Sequence, residues 1–241
     1  MISWGPFAIQ TGLLAVIAAA LTAIAAVHLM ARAAGGSNDS HAKEAAELLQ
    51  NAAFIALIVW KFGHVLFAPA VVWERPSALL LLSGGTREAF VAMLVAGVYL
   101  VVRLRRRAIP IRLFLDLAAF GAVLAVIVYA AIDWNYGKPT SLPWGISLSD
   151  PEFRYHPVSV YTMLAAAFVA LLLWMRRGQA GTGELYRAGS IYMGLGLLAV
   201  SFGAVPKPAV LLLSSDQWWA IALAGIGIVS STLSHNKAEG R

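Results

Sequence analysis

The chain has 241 residues, of which 60% are hydrophobic and 12% charged, and its mean hydropathy is +0.74. Such a composition has too little polar surface to cover a water-soluble globule, so the solvent to be satisfied is lipid. The net charge of +6 is then read as membrane topology and not as a nucleic-acid surface, and the lack of cysteine excludes a disulfide, a thiol nucleophile or a thiolate metal site within the chain.

Crossing roughly 30 Å of hydrocarbon takes about 20 apolar residues. Seven stretches approach that length: residues 9–30, 52–72, 90–102, 113–132, 158–175, 188–204 and 209–233. The expected fold is an all-α integral membrane protein, a single transmembrane domain over residues 1–241 built as a bundle of about seven transmembrane helices. The first stretch is read as an uncleaved span, because no Lys or Arg precedes it and Arg32 follows it. Alternate connections are unequal in charge. Segments 31–51, 103–112, 176–187 and the tail hold twelve of the 18 Lys and Arg, against five on the opposite side. The positive-inside rule then puts the N-terminus outside and the C-terminus in the cytoplasm.

Between the first two spans, Ser40 ahead of Glu44 and Glu47 reads as a helix start within a cytoplasmic connector. In the second span, Lys61 is expected near mid-membrane with His64 three residues on, on the same side of one helix. An ammonium group at that depth is costly unless it is hydrated or paired, so Lys61 is a candidate cavity residue for a lipid headgroup phosphate. The outer connection 71–88 runs Trp73, Glu74, Arg75, Pro76, then Leu79 to Leu82, then Ser83, Gly84 and Gly85. That order fits an interfacial or re-entrant segment.

The longest polar break is the outer loop 133–157. It contains Trp134, Tyr136, Gly137, Lys138, Trp144, Arg154 and His156, with Pro157 placed to start the fifth span. Its rings fit an aromatic belt at headgroup level. Lys138 and Arg154 suit phosphate oxygens, and His156 is a candidate for proton transfer or for a structural donor. The chain shows no Ser-His-Asp order, no metal-ligand spacing, no phosphate-cradling Gly-Lys-Ser/Thr motif and no redox motif, and no cofactor is expected.

Tyr136-Gly137-Lys138-Pro139-Thr140, Leu142-Pro143-Trp144-Gly145, Arg154, His156-Pro157 and Tyr161 resemble, in this order, a stretch of the prolipoprotein diacylglyceryl transferases. Lys61 to Phe67, Ser83-Gly84-Gly85 and Asp216-Gln217-Trp218 extend the likeness over nearly the whole chain. The resemblance implies a bacterial inner-membrane enzyme that moves diacylglyceryl from phosphatidylglycerol to the lipobox cysteine thiol of a prolipoprotein, releasing glycerol phosphate. It marks His64 and His156 as catalytic candidates, and Lys61, Tyr136, Gly137, Lys138, Arg154 and Tyr161 as substrate-binding ones. The departures from the family pattern are specific. Residues 126–134 lack the family's arginine, Leu197 to Phe202 replace a charged run that includes a second one, and Ser83 and Thr162 stand where the family has histidine and glutamate. Two readings therefore stand: a divergent transferase, or a non-catalytic paralogue that binds phospholipid or a membrane partner. A transporter built on Lys61 fits less well, since inverted repeats and a paired intramembrane acid are missing from the sequence.

Overall fold

The structure is a computed structural model that describes residues 2–4, 7–9, 11–34, 39–74, 84–148, 150, 152–205 and 209–239. A short antiparallel pair, β1 (Ile2–Trp4) and β2 (Phe7–Ile9), leads into α1 (Thr11–Ala33). α2 (Asp39–Phe62), α3 (His64–Phe67) and α4 (Val71–Glu74) follow, then α5 (Thr86–Arg107) and α6 (Ile111–Ile132). A second pair, β3 (Ile146–Ser147) and β4 (Arg154–Tyr155), precedes α7 (Val158–Met175). A 3-10 turn at Arg177–Gln179 leads to α8 (Glu184–Ser201), and a hairpin of β5 (Ala209–Val210) and β6 (Leu213–Ser214) leads to α9 (Ser215–Glu239).

The protein is an all-α membrane protein. Four of its helices, Thr11–Ala33, Ser40–Phe62, Ile111–Ile132 and Val158–Met175, are long and apolar enough to cross a bilayer. Their outward faces are apolar: Leu164 is 64% exposed and Phe168 59%, which in water would be an aggregation-prone patch and in lipid is the ordinary surface. α5, α8 and α9 are at least as long as the shortest of the four.

The closest packing lies at one end of the bundle. Met30 of α1, Leu48 of α2, Leu113 and Leu117 of α6, Leu173 of α7 and Leu185 of α8 are at most 2% exposed and belong to one cluster. By chain direction this is the end opposite the connection from α6 to α7. Between α1 and α2, His28 Nε2 donates to the amide oxygen of Gln50 at 2.7 Å, so two polar side chains within the apolar helices satisfy each other.

Asp116 is fully buried in α6 and its carboxylate serves the start of α8. Oδ2 accepts from the backbone N–H of Gly181 at 2.8 Å and of Gly183 at 2.9 Å, and Oδ1 accepts from Tyr186 N–H at 2.8 Å. Those donors are unpaired at a helix N-terminus, where negative charge is also favoured by the helix dipole. Gly181 and Gly183 take φ of +96° and +92°, a region open to glycine, and this lets the connection curl over the carboxylate.

Several expected boundaries move. The second span was expected at residues 52–72, but α2 runs from Asp39 to Phe62. The supposed connector carries Ala42, Ala45, Ala46 and Leu48, all buried and at helical spacing, while Lys43 and Glu47 fall on the exposed side and do not interrupt the stripe. Arg103, Arg105, Arg106 and Arg107, expected in a connection, form the last turns of α5, where cations suit the C-terminal dipole. The seventh expected stretch begins as the β5–β6 hairpin, and its helix starts only at Ser215. In the 71–88 connection, Arg75 to Ser83 lie outside the described residues; Glu88 then accepts from the N–H of Gly85 at 2.8 Å and caps α5.

Candidate functional site

The loop 133–157 is built from its glycines, prolines and backbone bonds. Asp133 ends α6, with its N–H on the Tyr129 carbonyl at 2.8 Å and its Oδ2 accepting from the Tyr129 hydroxyl at 3.0 Å. Ser159, buried in the first turn of α7, accepts from Asn135 N–H at 2.8 Å, and so ties the loop's exit from α6 to its entry into α7. Further on, Gly137 N–H donates to the His156 carbonyl at 2.8 Å, His156 N–H to Lys138 at 3.0 Å, and Thr140 N–H to Arg154 at 2.7 Å. β3 and β4 continue this antiparallel pairing, with Ile146 opposite Tyr155 and Ser147 opposite Arg154.

The pairing docks on the end of α8. Lys138 N–H donates to the Gly203 carbonyl at 2.9 Å, and its ammonium donates to the Phe202 carbonyl at 3.3 Å. Carbonyls at a helix C-terminus carry partial negative charge and lack intrahelical donors, which explains why a lysine settles there. Gly137 meets Gly203 so closely that a Cβ on Gly137 would lie 2.0 Å from the Gly203 carbonyl oxygen.

Three side chains meet above this seam. Trp144 Nε1 donates to the Tyr161 hydroxyl at 2.9 Å, and the same hydroxyl lies 3.2 Å from His156 Nδ1. The His156 and Tyr161 rings meet edge to face with centroids 5.9 Å apart. Arg154 Nη1 donates to the Pro143 carbonyl at 3.3 Å. A lysine has three donors and an arginine five, so these contacts leave Lys138 and Arg154 with capacity for anionic oxygens. The hairpin and the first turn of α7 thus gather Tyr136, Gly137, Lys138, Arg154, His156 and Tyr161 into one region.

Lys61 and His64 belong to a second region. Lys61 was expected near mid-span on one helix face with His64. It instead occupies the last turn of α2, and Gly63 separates that helix from α3, which His64 opens. The shift follows from the earlier start of α2. His64 Nδ1 donates to the Lys61 carbonyl at 3.1 Å, and its Nε2 is a buried acceptor with no partner among the described residues. Gly84 packs on the Trp60 carbonyl, where a Cβ would lie 2.0 Å away, so the end of the 71–88 connection lies directly on α2.

Two apolar cavities open between the helices. One, of about 670 Å³, lies between α1, α2 and α5 and includes Trp60, next to Lys61 in the chain. The other, of about 290 Å³, lies between α6, α8 and α9 and is lined by Val126, Tyr186, Ser190, Leu197 and Leu223 among others. Val126 and Leu197, from two stretches singled out in the sequence, share one wall of this cavity.

Sequence reasoning missed the bond from Trp144 to Tyr161, the docking on Phe202 and Gly203, and the part played by Asp116. For the first, a tryptophan beside Pro143 and Gly145 in a polar loop is a usable signal of a ring fixed by a turn.

Residues 1–233 match the family described as prolipoprotein diacylglyceryl transferase. A phosphatidylglycerol–prolipoprotein diacylglyceryl transferase of Methylocella silvestris is 29% identical over 212 residues, covering 84% of this chain and 76% of the relative. Enzymes of the same name from Frankia alni and Streptomyces griseus are 32% identical over 145 residues and 39% over 98 residues. These two matches cover 54% and 35% of this chain, and only 37% and 30% of the relatives' own lengths.

Proposed function

Since the chain belongs to the prolipoprotein diacylglyceryl transferase family, we propose that it handles phospholipid in the bacterial cytoplasmic membrane and transfers diacylglyceryl from phosphatidylglycerol to a prolipoprotein cysteine. In this reaction a sulfur–carbon bond forms at the glyceryl carbon and the carbon–oxygen bond to phosphate breaks. Glycerol phosphate leaves with the electron pair, and the thiol proton passes to a base. The bundle would cross the membrane about seven times, N-terminus outside, so that loop 133–157 meets the outer headgroups and segment 71–88 lies at the outer interface. Lys138 and Arg154 would engage the phosphate, with Tyr136, Gly137 and Tyr161 shaping their setting and Lys61 offering a second cationic contact. His64 and His156 are the candidates for handling protons.

The observation that carries this reading is the convergence of Lys138, Arg154 and His156 on one hairpin docked against α8. A leaving phosphate needs fixed positive charge at the breaking bond, and this hairpin supplies it. Membranes depleted of their own transferase, supplied with this protein, should yield diacylglyceryl-modified prolipoprotein by mass spectrometry. Unmodified prolipoprotein in the presence of folded protein would refute it.

The alternative, a non-catalytic, phospholipid-binding paralogue, makes a different prediction. The wall shared by Val126 and Leu197 is apolar, so the cavity between α6, α8 and α9 holds acyl chains better than a phosphate. Under this reading phosphatidylglycerol co-purifies with the protein and is lost from Lys61→Ala and Arg154→Ala, while depleted membranes stay unmodified.

A further inference from the structure

We infer that Trp144 and Tyr161 fix His156 as its Nε2–H tautomer, making the imidazole a hydrogen-bond donor to a phosphate oxygen. An indole nitrogen only donates, so the Tyr161 hydroxyl is the acceptor of the 2.9 Å bond from Trp144. A phenol has one proton, and His156 Nδ1 lies 3.2 Å away to receive it. With the proton on Nδ1 instead, the phenol oxygen would accept twice and its own proton would have no acceptor among the described residues. The arrangement that satisfies every group is Trp144 N–H to Tyr161 O, then Tyr161 O–H to His156 Nδ1. The ring proton is then on Nε2, which makes no hydrogen bond to any described residue.

The ring is held as well as polarised. His156 is anchored at N–H and carbonyl by Lys138 and Gly137, packs edge to face on Tyr161, and lies against Gly203, where a Cβ would be 3.5 Å from its Cγ. Nearby groups with spare donors are cationic: Lys138, paired with it along the backbone, and Arg154, two residues earlier. A fixed N–H on a hairpin that also carries these two cations suits an anionic phosphate oxygen, either of a lipid headgroup or of a free phosphate ester. Trp144 and Tyr161 are positioning residues that act through His156. The phosphate assignment rests on the phospholipid-handling reading, whereas the tautomer rests on the geometry alone.

The test is long-range 1H–15N correlation on full-length protein carrying 15N-histidine in detergent micelles, with His156 assigned by loss of its signals in His156→Gln. For the neutral ring the expected pattern is a pyridine-type Nδ1 and a pyrrole-type Nε2. Tyr161→Phe, and to a lesser degree Trp144→Phe, should convert it to a mixture of tautomers. A pyrrole-type Nδ1 in the unaltered protein, or an unchanged pattern in either variant, overturns the assignment. Doping the micelles with phosphatidylglycerol should shift Nε2–H, with half-saturation about fivefold weaker in Tyr161→Phe, as expected for one orienting hydrogen bond. A shift with phosphatidylglycerol but not with soluble glycerol phosphate supports a lipid headgroup site, and a shift with both supports a site for the phosphate ester itself. No shift with either overturns the phosphate subsite. If the tautomer and the shift are seen while depleted membranes stay unmodified, transfer chemistry fails and this inference stands.

Discussion

Gly137 and Gly203 are in backbone contact: the loop entering α7 and the turn leaving α8 meet with no room for a methyl group between them. The Gly203 carbonyl is already committed to Lys138 N–H, and Val158 Cγ2 would lie 2.8 Å from a new Cβ on the other side. Gly137→Ala should therefore separate the hairpin from α8 and destabilise the protein by about 1–3 kcal/mol. The experiment is thermal unfolding in detergent, paired with phosphatidylglycerol co-purification. Loss of lipid retention should exceed what the drop in stability accounts for, because Lys138 moves with its neighbour.

The Asp116 carboxylate is expected to be the costliest single polar group to remove. Asp116→Ala leaves three backbone donors at the start of α8 without their acceptor and should cost roughly 2–5 kcal/mol. Asp116→Asn keeps one oxygen for Gly181 and Gly183 but turns an amide N–H₂ towards Tyr186 N–H, so its cost should be smaller. Equal melting temperatures for the two variants would contradict this ranking.

Helices α8 and α9 touch through glycine. A Cβ on Gly194 would lie 2.7 Å from the Ala220 carbonyl oxygen and 2.7 Å from Ala224 N, and one on Gly227 would lie 2.7 Å from Ile191 Cγ1. Small residues let backbones approach in a membrane, where apolar burial gives no drive. Gly194→Ala should cost about 1–3 kcal/mol by forcing the helices apart. Gly97→Ala in α5, with nothing within 4 Å, should be neutral or gain roughly 0.5–1 kcal/mol from helix propensity. Denaturation of both variants in the same detergent compares the two sites directly.

The β5–β6 hairpin turns through Leu211 and Leu212, with φ of +52° and +67°, a conformation that leucine adopts only under strain. Leu212 is 97% exposed at the tip. Leu212→Gly should stabilise the protein in detergent by about 1–2 kcal/mol. Its retention in vesicles should fall relative to the unaltered protein, since an exposed leucine pair on a membrane protein is held by lipid. Flotation of the two proteins through a density gradient measures this.

What was legible in the sequence follows from where each signal is carried. α7 begins and ends where expected because Pro157 and Arg176 bracket an unbroken apolar run, and loop 133–157 stands out because polar and turn-forming residues interrupt a very apolar chain. α2 was misplaced because its buried stripe is mostly alanine, a weak hydropathy signal that Lys43, Glu44 and Glu47 obscure. The role of Asp116 could not be read locally, since its partners are backbone N–H groups 65 to 70 residues away. The same holds for the Tyr161 hydroxyl, whose donor Trp144 lies 17 residues earlier across a hairpin.

The bond between His28 and Gln50 bears on how the chain enters a bilayer. α2 has a mean hydropathy of 1.3 across its span against 2.4 for α1, and its first half carries Gln50 together with charged residues. Alone in lipid, that half would expose polar groups at a cost of several kcal/mol. Gln50 finds this donor only with α1 alongside, so the polar groups of the first two helices are satisfied as a pair.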